Sequence, residues 1–299
     1  MNQFEITRSV HTEWMGQEIL CFRTLDSTNI KAKELAEEGY PSGTLVLAES
    51  QTAGRGRRGR DWTSEEGTGI FMSFILKPEN SPAFVEQNPS GLKSALAEQN
   101  LAGLMSVTAE QNQQGLTIEN ATMLTLVCAL AVSRGISQVI GQKVQIKWPN
   151  DIVMNGRKIC GILTEMSVVS GKIDYIVAGI GINVSNSQFP VEIANTAGSL
   201  YTETGKFFQR AEIVGAILEK FETYYALFLK TQDLSLMQEE YNGLLANRNR
   251  EVRVLDPKEP FEGKAIGITE KGELIVDTPE GKRLVSSGEV SVRGIYGYV

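Results

Sequence analysis

The stretch from Lys143 to Val184 admits fewer folds than any other part of the chain. It reads KVQIKWPNDIVMNGRKICGILTEMSVVSGKIDYIVAGIGINV. KVQIKW has strand composition and is closed by Pro149, which keeps Trp148 extended. DIVM is a short strand, and Asn155-Gly156 is a type I′ turn signal that KICGILTEM answers. VVSGK turns the chain again into DYIVAGIGINV. Two-residue turns join only antiparallel neighbours, so this region predicts an antiparallel meander rather than alternating βαβ units.

Helical patterns lie outside it. SerThrAsn at 27–29 opens a helix that Gly39 and Pro41 end. ATMLTLVCALAVSRGISQVIG (121–141) is apolar on most sides, as a core helix is, and 210–231 carries another helical stripe. TLVLAES (44–50) and GIFMSFIL (69–76) read as buried strands. From about Arg250 short strands follow one another at close spacing, separated by Pro, Gly and Asp, which predicts a small β-barrel. The expected class is therefore α+β, a mostly antiparallel sheet with helices, over residues 1–246, and a β-barrel unit over 247–299. Between them in character stands E-Q-N-x-x-G-L, repeated in tandem every 12 residues from Glu86. It is expected to be an insertion over about 86–121, and deleting Glu86 to Ala109 is expected to leave activity intact.

Composition narrows the chemistry. The single histidine, His11, removes Ser-His-Asp triads and histidine metal sites. Three cysteines with no C-x-x-C pair exclude a disulfide scaffold or zinc ribbon and fit a reducing cytoplasm. No signal layout opens the chain and no apolar run is read as long enough to span a bilayer, so no membrane role is expected. The net charge of -7 argues against wide phosphate binding.

Against that acidic background, AGRGRRGRDW (53–62) gathers four arginines. Its letters satisfy G-x-G-x-x-G, but a strand rather than a helix follows, so the Rossmann geometry fails. A kinase loop fails for want of H-R-D and D-F-G. A nucleic-acid patch, with Trp62 stacking a base, and a solvated basic turn both stay open. Lys147 ends a strand, and Gly179 and Gly181 share one face of another, where a ligand or a second backbone can come close.

DSTN, ESQTAGRGRRGRDW, KWPNDIVMNGRKICGILTE and GIGINV, in that order, resemble the biotin protein ligases, and GEVSVRG on the last unit is similar too. The resemblance runs from about Leu25 to the end, apart from the repeats. It implies a class II aminoacyl-tRNA-synthetase-like sheet with helices on one face. It also implies a two-step reaction: ATP and biotin give biotinyl-5′-adenylate, and a lysine of a biotin carboxyl carrier protein or domain then takes the biotin. By motif, Ser27, Thr28, Asn29 and Gln51 would meet biotin. Arg55, Gly56 and Arg57 would close over its tail and the phosphate, and Lys147 would hold carboxylate and phosphate. Arg55, Arg57 and Lys147 are thus the expected catalytic residues. Trp62, Gly179, Gly181 and Asn183 would form the adenine side, with Lys158 as an additional phosphate contact. Mg²⁺ is implied with ATP; the motifs assign it no ligands, and Asp151 is the candidate considered. About two dozen residues precede LDSTN, too few for the winged helix-turn-helix of some members, so no DNA binding is expected. A lipoate-type ligase and a nucleic-acid-binding protein are the alternatives.

Overall fold

A computed structural model describes residues 1–62, 65–78, 116–288, 290–295 and 298–299. The tandem repeats before residue 116 lie outside the described residues. The first sheet has seven strands: β1 (Ile19–Leu25), β2 (Leu45–Gln51), β3 (Gly69–Leu76), β4 (Gln145–Lys147), β5 (Asp151–Met154), β6 (Arg157–Val169) and β7 (Lys172–Asn183). Their order is β1-β2-β3-β7-β6-β5-β4. β1 and β2 run parallel, joined through helix α2 (Thr28–Glu37), and every other pair is antiparallel. The two tight hairpins sit where the sequence places them. Asn155 and Gly156 have φ of 50° and 79°, and Ser170 and Gly171 have 52° and 77°, the left-handed pairs that such turns require.

Alternation along the strands divides the sheet into two faces. Ile70, Met72, Phe74 and Leu76 of β3 and Ile176, Ala178, Ile180 and Ile182 of β7 belong to the large core. That core is shared with helices α1 (Gln3–Ser9), α3 (Ile118–Ala121), α4 (Leu124–Ile140) and α6 (Arg210–Thr231). Helices α5 (Leu200–Thr204) and α7 (Gln238–Leu244) are short. Helix α2 lies on the opposite face. Its Ala32, Leu35 and Ala36 pack on Val46, Ile75, Tyr175 and Val177, the intervening positions of the same strands. The long helices thus share one face, as expected, and α2 leaves most of the other face open for a cleft.

One expectation needs correcting. The run Ile118–Ile140 is long and apolar enough to cross a membrane. Here it is mostly buried against the sheet and α6, a core helix that passes the same length test.

The second sheet comprises β8 (Arg250–Leu255), β9 (Phe261–Ile268), β10 (Leu274–Thr278), β11 (Gly281–Val285) and β12 (Ser291–Gly294), in the order β11-β10-β9-β8-β12. All its pairs are antiparallel. Among the described residues β11 and β12 are not paired, so the expected barrel is an open one. Its Val252, Val254, Ala265, Leu274 and Val276 join the same buried cluster as the first sheet. The second sheet is also tied to the rest of the chain by hydrogen bonds from Trp148 Nε1 to Gly272 O, 3.0 Å, and from Ile268 N to Asn242 Oδ1 on α7, 2.9 Å.

Candidate active site on the open face of the sheet

The register of the sheet sets the floor of the site. Gly181 of β7 stands between Phe71 and Gly161, and Gly179 between Ser73 and Leu163. The side chains that occupy the space above these glycines come from the first turn of α2 and from the arginine loop. A Cβ on Gly179 would stand 1.9 Å from Asn29 Oδ1. One on Gly181 would stand 2.7 Å from the Trp62 ring, and one on Gly161 2.9 Å from it. Ordinary side chains at these positions would expel Asn29 and Trp62.

At one end of the cleft the start of α2 presents Ser27, Thr28 and Asn29, all nearly buried. Ser27 takes the N-cap position, but its hydroxyl makes no capping bond. Thr28 donates its N–H to Gln51 Oε1 at 2.8 Å. The Ser73 hydroxyl lies 2.8 Å from Thr28 Oγ1 and 2.7 Å from Asn29 Oδ1. Asn29 Nδ2 donates to Glu165 Oε2 at 2.7 Å, and Lys33 Nζ donates to Glu165 Oε1 at 2.6 Å. Burial pushes the Glu165 carboxyl up, but the Lys33 and Asn29 bonds outweigh it and hold it below its usual range. This end is rich in hydrogen-bonding groups whose orientations are fixed by one another.

The arginine loop closes over the cleft. It is pinned at its base, with Gly56 N donating to Arg60 O at 2.6 Å and Trp62 N to Gly54 O at 2.9 Å. Between them Arg57–Gly59 makes one tight turn in which Arg58 is left-handed, φ 60°. The Arg57 guanidinium donates to Asn150 Oδ1 at 3.0 Å, to Gly288 O at 2.7 Å and to Ser287 O.

A cluster of charges lies beside it. Lys147 on β4 stands opposite Asp151 on β5 in the strand register. Lys158 Nζ is 2.6 Å from Asp151 Oδ1, and the Tyr298 hydroxyl donates to Asp151 Oδ2 at 2.6 Å. Burial raises the Asp151 carboxyl, but Lys158 and Lys147 outweigh it and hold it low. Lys147, only 3 % exposed, is pushed down to about 7 by burial; Asp151 opposes this, while Arg293, Lys158 and Arg60 add to it.

The cleft thus brings together Ser27, Thr28, Asn29, Gln51, Arg55, Gly56, Arg57, Trp62, Lys158, Gly179 and Gly181. Two expected residues do not line it. Lys147 is buried beside it, and Asn183, at the end of β7, turns its amide to Gly198 O at 3.0 Å. Four residues that matter here were not foreseen: Asn150, Ser73, Glu165 and Tyr298. Asn150 stood inside KWPND, three residues after Lys147, where the motif could have pointed to it. Ser73 and Glu165 each needed the strand register. Asp151, considered for Mg²⁺, has both carboxylate oxygens engaged, by Lys158 and Tyr298.

Comparison with known proteins places these features in a family. Residues 21–94 and 81–183 match the Biotin/lipoate A/B protein ligase family, and 249–293 match the Biotin protein ligase C terminal domain. The Bifunctional ligase/repressor BirA of Bacillus subtilis is 34% identical over 98% of this chain and 79% of its own. The Biotin--[acetyl-CoA-carboxylase] ligase of Paracoccus denitrificans is 27% identical over 90% of this chain and 98% of its own. The biotin protein ligase of Aquifex aeolicus, solved in complex with biotin and ATP, superposes with a TM-score of 0.71 at 28% identity, covering 93% of this chain and 99% of that one.

Proposed function

The chain belongs to the biotin protein ligases of the biotin/lipoate ligase family, and from that premise we propose how its cleft performs the two steps. It activates biotin with ATP to biotinyl-5′-adenylate, then passes the biotin to a lysine of a biotin carboxyl carrier domain. The observation that carries the assignment of roles is the polarity of the cleft. The side chains that line the α2 end, Ser27, Thr28, Asn29 and Gln51, are uncharged hydrogen-bonding groups, with the Glu165–Lys33 pair outside the lining holding Asn29, whereas Arg57 and Lys158 line the cleft as cations. Biotin has the same polarity, a neutral ureido ring at one end and a carboxylate at the other.

Ser27, Thr28, Asn29 and Gln51 hold the ring. Glu165 and Ser73 fix the orientation of the Asn29 amide. Arg55, Gly56 and Arg57 cover the tail and the phosphate. In adenylate formation a carboxylate approaches a charged phosphate, and two unit charges about 4 Å apart repel by about 4 kcal/mol at an effective dielectric of about 20. Arg55, Arg57, Lys147 and Lys158 offset that repulsion. Trp62, over Gly161 and Gly181, offers its ring to the adenine. Asn183, bonded to Gly198, shapes the end of the strand instead. In the second step the same cations lower the pKa of the incoming lysine, so its amine is neutral enough to attack.

Mg²⁺ enters with ATP as part of the substrate. Among the described residues no three His, Cys, Asp or Glu side chains gather to hold a metal, and such ions are often held mainly by phosphates. A lipoyl ring offers no ureido partner for the α2 end, which would leave buried polar groups unmatched. A nucleic-acid role needs Arg57 and Trp62 turned outward, whereas both are engaged within the cleft.

The test is incubation with biotin, α-labelled ATP and a biotin carrier domain. Pyrophosphate release that requires biotin, followed by biotinylation of the carrier lysine, is expected. Turnover with lipoate in place of biotin, or salt-sensitive RNA binding without biotin-dependent turnover, would refute the assignment.

A further inference from the structure

Lys147 poses a geometric problem. The cleft that gathers the other cations does not include it, and its ammonium is almost wholly covered. The group that lies directly against it is Tyr298, whose ring centroid is 3.7 Å from Nζ. The other contacts of Tyr298 belong to the same charge cluster. Its hydroxyl is tied to Asp151 Oδ2 at 2.6 Å, and Arg293 lies 5.5 Å from its ring. Asp151 is in turn bound by Lys158. Four cations, Lys147, Lys158, Arg60 and Arg293, influence this one small region, with Asp151 as the carboxylate among them. Such an excess of positive charge suits a polyanion better than a phenol ring. The contact of Arg57 with the Ser287 and Gly288 carbonyls has the same character. The Ser287 and Gly288 carbonyls and the Tyr298 ring thus supply neutral groups to Arg57 and Lys147.

We propose that Tyr298 is a cover over Lys147 that the phosphates of the nucleotide must displace before Lys147 can act. The ring occupies the face of the ammonium and the hydroxyl bond to Asp151 holds it there. When a polyphosphate arrives, it replaces both partners of the ring, since it satisfies Lys147 far better than the face of a phenol does. Tyr298 is a positioning residue in this scheme and touches no reacting atom. The inference rests on the role given above to Lys147.

The test reads access to Lys147 without relying on turnover. Burial holds Lys147 down to about 7, and uncovering it would let that value rise, so acetylation by acetic anhydride is followed from about pH 7 to about pH 10 and each rate is referred to the neutral amine, which leaves access as the quantity compared. Peptide mass spectrometry gives the rate at this residue in wild type, Tyr298→Ala and Tyr298→Phe. A cover that is open about a tenth of the time slows a reaction, or weakens a ligand, about tenfold. Tyr298→Ala is therefore expected to acetylate at Lys147 about tenfold faster and to bind inorganic tripolyphosphate about tenfold more tightly by calorimetry. Tyr298→Phe keeps the ring but loses the tie to Asp151, so it should fall between the two. Far-UV circular dichroism confirms that each variant is folded, and Tyr298→Leu replaces Tyr298→Ala if that one is not. Unchanged acetylation in a folded variant, or weaker tripolyphosphate binding, would overturn the cover. Failure of wild type to release pyrophosphate from ATP with biotin would instead refute the ligase assignment, while the acetylation result would stand.

Discussion

At the scale of single residues, the site depends on what is missing from β7 as much as on what is present. Gly179 leaves room for one amide, that of Asn29, which is held by Ser73, Glu165 and the Leu163 carbonyl. An added methyl group would begin 1.9 Å from Asn29 Oδ1, too close for either to stay. With Asn29 proposed to hold the biotin ring, Gly179→Ala should raise the KM for biotin at least about tenfold, the equivalent of about 1.4 kcal/mol. The KM for ATP should change far less, since the nucleotide is proposed to meet Trp62 and the cations rather than Asn29. Steady-state pyrophosphate release with each substrate varied separately measures both. Equal changes in the two constants would mean that Gly179 serves the sheet and not the biotin end. Much of this was legible beforehand. GIGIN placed two glycines on one face of a strand, and DSTN and the arginine loop named the side chains now found above them. What was not legible was which side chain fills which gap. That depends on the register of β7 with β3 and β6, and Ser73, Leu163 and Glu165 lie far from DSTN in the chain.

Elements were legible wherever a local signal fixes them. Asn155-Gly156 and Ser170-Gly171 fold as the turns they spell, and Gly141 ends α4 in the left-handed conformation, φ 68°. Placement was less legible than existence. The start and stop signals of α2 fix the helix but not the face of the sheet it covers, and its lying opposite the long helices, with Ala32, Leu35 and Ala36 buried, had no sequence signal. The same limit applies to α4, whose apolar character fits a membrane span and a core helix equally. Packing decides between them, and at one point that packing is unusually close. A Cβ at Gly135 of α4 would stand 2.8 Å from the backbone nitrogen and Cα of Ile217 in α6. No side-chain rotation relieves contact with backbone, so Gly135→Ala must push the two helices apart. Overpacking of this kind costs about 1–3 kcal/mol, somewhat offset by the better helix propensity of alanine. The expected result is a lower urea midpoint with an unchanged slope and unchanged kinetics near the melting-free range. A midpoint equal to wild type would show that α4 and α6 separate without cost.

For the whole molecule, the change in texture near Arg250 announces a second unit, but nothing local announces how it docks. Its contacts join residues distant in sequence: Trp148 with Gly272, Arg57 with Gly288, Asp151 with Tyr298. Together they carry the second sheet against the charged end of the cleft, where it holds Arg57 and Asp151 in place while the lining itself comes from the first unit. Binding and stability should therefore be linked. Val252, Val254 and Leu274 share one buried cluster with Ile146 and Trp148, and a shared core gives neither unit a reason to melt first. Trp148 tests this, because it is buried and its Nε1 donates to Gly272 O at 3.0 Å. Trp148→Phe keeps an aromatic ring at the junction but leaves that carbonyl without its donor, at a cost of about 1–3 kcal/mol. If the units are coupled, the unfolding free energy of the entire molecule falls by that amount, and far-UV circular dichroism and tyrosine fluorescence report one coincident transition at a lower midpoint. If the second sheet were only tethered, Trp148→Phe would split the curves, with an early transition for the second sheet and a first sheet as stable as before. That outcome would also remove the physical basis for Tyr298 and the Ser287 carbonyl holding their places over the cations.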